Sequence, residues 1–184
     1  VSWPEKNTIV LQTKPAALAE GYLYFLNPKT GELKKIIGGL LGLSALVSPD
    51  GQKVLYTDAR LNTNLYDLKS NQLQPLAIAT LPEKCFWVSD AVTIYCAVPK
   101  NRPLTATYPD DWLSGQVVFN DQLWQIRASD GRATLVSSDE LGEVVNLFAF
   151  DEILMYLDRP TGQLKFIELP AESVVPPETT VGGQ

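Results

Sequence analysis

Four segments of this chain share one hairpin-like pattern, and this repetition constrains the fold more than any other feature of the sequence. The last three are each an apolar run, a short polar turn and a second apolar run that ends on tyrosine. The first keeps only the turn and the second run. The hairpins occupy residues 3–11, 45–56, 86–95 and 147–156. They recur about every 40 residues, with one interval about 20 residues longer, so each repeat is one supersecondary unit.

A further apolar element follows each hairpin, and glycine-containing turns lie beside three of these elements. Gly31, Gly131 and Gly162 are predicted to supply the positive φ that a type I turn followed by a bulge requires. A fourth strand completes the first three repeats. The third elements are residues 23–26, 65–68, 123–126 and 164–167, and the fourth strands are residues 32–37, 73–78 and 133–137.

The last repeat can be aligned in two ways. Matching its apolar runs makes residues 164–167 a third strand. Matching its turn instead makes residues 153–157 the third strand and residues 164–167 the fourth. Either alignment leaves this repeat one strand short.

Four short strands in each repeat predict an all-β fold, a β-propeller of about four blades of antiparallel four-stranded sheets. A blade cannot bury both faces of its sheet alone, so blades stack radially and their inner strands become apolar on both faces. An all-β sandwich is the alternative. The predicted organisation is a propeller over residues 1–170 and a C-terminal tail or closing strand over residues 171–184. The blades are expected at about 1–42, 43–80, 81–140 and 141–170.

The second hairpin carries a family resemblance. Its turn, Ser48-Pro49-Asp50-Gly51, resembles the blade motif of TolB-like and dipeptidyl-peptidase-type propellers and, more loosely, of WD-repeat proteins. The full motif occurs once, although the likeness in pattern covers most of the chain. Residues 84–99 together with 108–112 are also similar to uncharacterised propeller proteins of candidate-phylum bacteria, a likeness that implies no particular activity.

Two interpretations account for the missing strand. The chain is either a four-bladed ring completed by a strand from residues 173–175, or part of a larger propeller, and the second is favoured. Because the chain starts at Val1 without a signal-peptide pattern, it reads as a mature or trimmed piece of a longer product. An open ring would expose an apolar blade face, which predicts self-association.

Composition excludes several classes of function. The chain contains no histidine, which excludes histidine-dependent triads, dyads and zinc sites within it. A net charge of −6 argues against nucleic acid as a partner, since the basic residues are scattered and Lys34-Lys35 is their longest cluster. No apolar run reaches the roughly 18 to 20 residues that cross a bilayer. We therefore expect no catalysis, cofactor or metal, and no membrane span in this segment.

The two cysteines lie on opposite strands of the third hairpin. If Asp90 and Ala91 form its turn, Cys85 stands opposite Cys96 at about 4.5 to 5.5 Å between Cα atoms, within reach of a disulfide. Two buried free thiols are the alternative. A disulfide implies an oxidising compartment, so the expected location is extracellular, cell-surface or periplasmic.

An insertion interrupts the third repeat between residues 98 and 119. Long loops are often functional, and this one carries residue types that are enriched at binding hot spots. The predicted binding loop comprises Arg102, Tyr108, Asp110, Asp111 and Trp112. The alternative is that the two aromatic rings fasten the loop to its own blade. Two adjacent aspartates do not provide the six to eight oxygens that calcium needs, so no metal is assigned to them.

These features favour a non-catalytic binding or scaffolding module that contacts another protein at the cell surface or in the periplasm. One alternative is the gating or substrate-binding part of a larger hydrolase, and another is a propeller that binds glycans or small molecules. Fold alone cannot choose among them, because propellers serve all three roles.

Overall fold

The computed structural model describes residues 2–5, 7–150 and 153–169. They form fifteen strands in four antiparallel sheets, of which three have four strands and the last has three. Each sheet is one blade, and the strands of a blade follow one another in sequence. Blade 1 contains β1 (Ser2–Glu5), β2 (Thr8–Gln12), β3 (Glu20–Leu26) and β4 (Leu33–Leu41), and blade 2 contains β5 (Ser44–Val47), β6 (Lys53–Thr57), β7 (Thr63–Asp67) and β8 (Gln72–Pro75).

Blade 3 is preceded by a 3₁₀ helix and interrupted by a short α-helix, α1, within the insertion. The 3₁₀ helix (Pro82–Lys84) is followed by β9 (Cys85–Trp87), β10 (Thr93–Pro99), α1 (Asp110–Leu113), β11 (Asp121–Arg127) and β12 (Arg132–Ser137). Blade 4 contains β13 (Val144–Phe150), β14 (Ile153–Asp158) and β15 (Gln163–Glu168). The four-bladed propeller predicted from the repeats is confirmed.

The middle strands bury both of their faces, which explains the near-continuous apolar runs. In β6, Val54 packs in the cluster between blades 1 and 2, while its neighbour Leu55 packs in the cluster between blades 2 and 3. In β10, Ile94 faces blade 2 and Tyr95 faces blade 4. Because successive side chains of a strand point to opposite faces, a strand between two blades must be apolar at every position.

The packing of blade 4 agrees with the alignment that matches its apolar runs to those of the other blades. Leu23 of β3 and Val10 of β2 contact the first two strands of blade 2, and β10 and β11 contact β13 and β14 in the same way. This places β13 and β14 as first and second strands, so the strand that the described part of blade 4 lacks is the outer one. Residues 173–175, the suggested closing strand, and the predicted tail over residues 171–184 lie outside the described residues.

The glycine turns have the expected backbone. Gly31, Gly131 and Gly162 have φ of 74°, 68° and 67°. Each donates its N–H to the carbonyl oxygen four residues earlier, at 2.9, 2.8 and 2.7 Å. In blades 1 and 3 this turn joins the third and fourth strands, whereas in blade 4 it joins β14 to β15. The turn is a local structure, and it does not identify which strand of a blade it follows.

Candidate functional site

The insertion of blade 3 folds back on the propeller. Tyr108 and Trp112 are buried in a cluster that also contains Phe119. The Tyr108 and Phe119 ring centroids are 5.8 Å apart, and the Tyr108 hydroxyl donates to the carbonyl of Pro103 at 3.1 Å. The two aromatic side chains of the predicted binding loop therefore fasten the loop to its own protein. This arrangement is the stated alternative, since packing with Phe119 and other apolar residues buries both rings, and a binding role for the loop stays a prediction.

The carboxylates of the two adjacent aspartates both accept hydrogen bonds from backbone N–H groups. The Asp110 carboxylate accepts the N–H of Ala17 at 3.2 and 3.3 Å, which links α1 to the loop between β2 and β3 in blade 1. Asp111 Oδ2 accepts the N–H of Thr107 at 2.7 Å. These bonds assign both side chains to holding the insertion in place. The described residues contain no group of three or more potential metal-ligating side chains.

Arg102 is the one member of the predicted loop whose side chain reaches solvent freely. It lies on the exposed stretch of the insertion, near Leu104, which is 98% exposed. The structure thus divides the predicted site into a buried anchor around Trp112 and an exposed segment around Arg102.

A buried ion pair lies beneath the insertion. Lys84 Nζ is 2.6 Å from Asp121 Oδ2, and neither side chain has any solvent-exposed surface. The ammonium also donates to the carbonyl oxygen of Val144 at 3.1 Å, and the Val144 N–H donates to Asp121 Oδ2 at 2.8 Å. Lys84 Nζ lies 5.7 Å from the centroid of the Trp112 ring and 5.2 Å from the centroid of the Phe119 ring, within the range of a cation–π interaction. This arrangement joins the start of β11 to the start of β13.

A second ionic contact connects the insertion to blade 4. The Trp112 indole N–H donates to Glu143 Oε1, and Arg159 Nη1 is 3.5 Å from the same oxygen. Arg159 also donates to the carbonyl oxygen of Trp112 at 2.7 Å, and its guanidinium carbon lies 4.9 Å from the ring centroid. The Trp112 ring therefore lies within cation–π range of Lys84 and Arg159, and its nitrogen is bonded to Glu143.

Burial disfavours charge on both members of the central ion pair. It lowers the pKa of Lys84, and the adjacent Asp121 carboxylate opposes that change. It raises the pKa of Asp121, and the Lys84 ammonium opposes that change. Neither side chain has exposed surface, so the altered proton affinity of both groups is a consequence of burial. A pair of this kind costs desolvation and is strongly destabilised when one partner is removed.

Sequence reasoning missed this cluster. Lys84, Asp121, Glu143 and Arg159 are separated by 16 to 37 residues and share no repeat position. The one available signal was the position of Lys84 directly before an apolar strand, because a lysine that is buried at such a position has to be paired.

The two cysteines form the predicted disulfide. Cys85 and Cys96 are opposite each other in the pairing of β9 with β10, with Cα atoms 4.1 Å apart and the sulfurs bonded. The hairpin closes where Val88 donates its N–H to the carbonyl of Thr93 at 2.8 Å, so its turn comprises residues 89–92 and not two residues. Within this turn, Asp90 Oδ1 accepts the N–H of Val92 at 2.8 Å. The register extrapolated from the turn is nevertheless the observed one, and the alternative of two free thiols does not hold.

Removing this disulfide is expected to lower the free energy of unfolding by at most about 3 kcal/mol, because the bond closes a short loop. The measurement is urea denaturation of the oxidised chain, the reduced chain and Cys85→Ala/Cys96→Ala. Reducing agent should leave the free energy of unfolding of the double variant unchanged, because this variant has no disulfide to reduce. Equal stability of the oxidised and reduced wild-type chain would contradict a stabilising bond.

Among the described residues, the face of blade 4 that points away from blade 3 is apolar and largely exposed. We call it the blade-4 outer face and define it by Phe148, Phe150, Ile153, Leu164 and Phe166. Phe150 and Phe166 are each 67% exposed. The alternate positions of β14, Leu154 and Tyr156, are buried against blade 3. Among the described residues, clusters of buried side chains join blades 1 to 2, 2 to 3 and 3 to 4, but none joins blade 4 to blade 1.

No helix within the described ranges is long and apolar enough to cross a membrane.

The sheet topology and blade packing define a β-propeller. The computationally designed Ika4 protein is similar in structure, with a TM-score of 0.58 and 12% identity over 90% of this chain and 88% of Ika4. Puromycin hydrolase has a TM-score of 0.56 and 12% identity over 88% of this chain and 27% of the hydrolase. TolB from Acinetobacter baumannii has a TM-score of 0.47 and 15% identity over 86% of this chain and 40% of TolB.

The similarities to Ika4 and to puromycin hydrolase establish the fold. The chain spans less than half the length of puromycin hydrolase and of TolB. No protein-family model matches the sequence, and the search of curated proteins finds no relative. The resemblance to TolB-like and peptidase propellers is confirmed at the level of fold, and the likeness to proteins of candidate-phylum bacteria stays a prediction.

Proposed function

We propose that this chain is a non-catalytic binding module that docks another polypeptide on the blade-4 outer face. The observation that carries the proposal is the exposure of Phe150 and Phe166 on a sheet face whose counterparts in the other blades are buried. Exposed apolar patches of this kind are typical of protein interfaces. The matching occupant is the apolar face of another β-sheet, stacked as one blade stacks on the next.

The distribution of ionisable groups supports a binding role. The buried Lys84–Asp121 pair is sequestered from substrate, and Asp110 and Asp111 are bonded to the backbone. The chain has no histidine to serve as a general base near neutral pH. The Cys85–Cys96 disulfide supports a location at the cell surface, outside the cell or in the periplasm, since such bonds persist in oxidising compartments.

The test uses self-association, because a second copy is the available occupant in a solution of the pure chain. Wild-type protein is expected to form dimers or larger species by light scattering coupled to size exclusion. Phe150→Lys/Phe166→Lys is expected to be monomeric with an unchanged circular dichroism spectrum, because lysine cannot be desolvated in an apolar contact. Leu104→Lys is the matched control, since Leu104 is equally apolar and 98% exposed but lies on the insertion.

The control variant should associate as the wild type does. A wild-type chain that stays monomeric at every concentration, or one whose association survives both lysines, would overturn the proposal.

A second candidate is the propeller part of a larger hydrolase. The observation that favours it is the similarity to puromycin hydrolase, of which this chain matches 27%. Under this proposal the complete reading frame encodes a hydrolase domain beside the propeller, and that domain covers the blade-4 outer face. A reading frame without such a domain would refute it.

A further inference from the structure

A cleft separate from the blade-4 outer face lies where the insertion approaches blade 2. Its volume is about 500 Å³, within the range of small-molecule sites. The loop after β6 and the exposed stretch of the insertion both contribute to it, since Arg60, Asn62 and Arg102 line the same space. Leu40 and Ile78 add apolar walls.

Two arginines in this cleft have free guanidinium groups. Arg60 and Arg102 are both exposed, and within residues 2–5, 7–150 and 153–169 neither guanidinium forms an ion pair or hydrogen bond. By contrast, Arg127 and Arg159 are engaged by Asp130 and by Glu143. Two unengaged arginines therefore face one concave site on a chain whose net charge is −6.

The one acidic side chain in the cleft is already satisfied by its own loop. Asp58 Oδ1 accepts the N–H of Arg60 at 2.8 Å and the N–H of Asn62 at 3.0 Å. Asp58 Oδ2 accepts the Asn62 side-chain amide at 2.7 Å. These three bonds shape the loop and disperse the carboxylate's charge, so the arginines keep their capacity for another anion.

We infer that this cleft binds a small organic anion that presents a carboxylate or phosphate group to Arg60 and Arg102. Guanidinium groups bind both kinds of oxyanion through paired N–H donors. The apolar side chains of Leu40 and Ile78 would contact the body of the ligand, and Asn62 lies where it can contact polar substituents. The insertion thus contributes to recognition through Arg102 and not through its aromatic rings.

In the experiment, the intact chain is titrated with phenyl phosphate, benzoate and benzyl alcohol. Binding is measured by isothermal titration calorimetry and by amide chemical shifts in NMR. The first two probes distinguish phosphate from carboxylate recognition, and the alcohol is their neutral counterpart. At least one anion is expected to bind saturably, and the alcohol is expected not to. Arg60→Gln and Arg102→Gln should each weaken binding about tenfold or more, since a charge-assisted hydrogen bond contributes at least that much.

Arg132→Gln is the matched control, because Arg132 is an exposed arginine on β12 that does not line the cleft. Arg132→Gln should bind the anion as tightly as the wild type does. Phe150→Lys/Phe166→Lys should also bind the anion normally, and this result separates the inference from the proposed function. Failure of both anions to saturate would overturn the inference. Unchanged affinity in the two cleft variants, or an equal loss in Arg132→Gln, would also overturn it.

Discussion

Lys84→Met is expected to lower the free energy of unfolding by about 3 to 5 kcal/mol, because it leaves a buried carboxylate without its counter-ion. Asp121 has no exposed surface, so water cannot replace the lost ammonium without rearrangement of the core. The change also removes the hydrogen bond to the carbonyl oxygen of Val144. Urea denaturation followed by circular dichroism measures the loss.

Lys100→Met provides the matched control for this variant. Lys100 pairs with Glu140 at 3.1 Å, but the two side chains are 47% and 59% exposed. An exposed pair contributes about 0 to 1 kcal/mol, so the control should remain close to the wild type. Equal losses in the two lysine variants would show that Lys84 is not a buried ionic partner.

A double variant separates the ion pair from packing. Lys84→Met/Asp121→Leu removes both charges and is expected to be more stable than Lys84→Met, since no unpaired charge stays buried. Part of the loss should persist, because the Val144 N–H then lacks the acceptor that Asp121 provides, at a cost of about 1 to 3 kcal/mol. A double variant no more stable than the single one would contradict this explanation.

Trp112→Ala is expected to cost about 3 to 5 kcal/mol, the range for removing a large buried aromatic side chain. Trp112 is 5% exposed and fills the space between the insertion, Phe119 and the Arg159 guanidinium. The substitution also leaves Glu143 without the indole N–H. Loss of this anchor should release the insertion, detectable as faster hydrogen exchange of the α1 amides.

Two further variants define what Trp112 contributes. Trp3→Ala is the control, because Trp3 is 62% exposed and its removal should change stability by no more than about 0.5 kcal/mol. Trp112→Phe keeps most of the apolar volume but removes the donor to Glu143, with an expected cost of about 1 to 3 kcal/mol. A cost for Trp112→Ala no greater than that for Trp3→Ala would restore the ring as a candidate surface contact.

These expectations assign different roles to two parts of one insertion. Its C-terminal half, from Tyr108 to Phe119, stabilises the junction of blades 3 and 4. Its exposed half, which carries Arg102, is free to contact a ligand. The blade-4 outer face is a third feature, and its proposed function is independent of both.

The repeats, the strand register and the disulfide could be predicted from the sequence because they depend on neighbours along the chain. A strand between two blades needs apolar residues on both faces, and a hairpin turn places Cys85 opposite Cys96 whatever surrounds it. The positive φ at Gly31, Gly131 and Gly162 follows from the same local geometry.

The ion pair, the burial of the loop aromatics and the identity of the exposed blade face were decided by tertiary structure. Lys84 and Asp121 meet because blade packing brings together residues that are 37 positions apart. An aromatic residue on a long loop is equally compatible with an exposed contact and an internal anchor, and the contact between Trp112 and Glu143 is what distinguishes them. Local hydrogen bonding and side-chain alternation thus determine the blades, whereas long-range packing determines which polar groups are buried and which apolar face stays open.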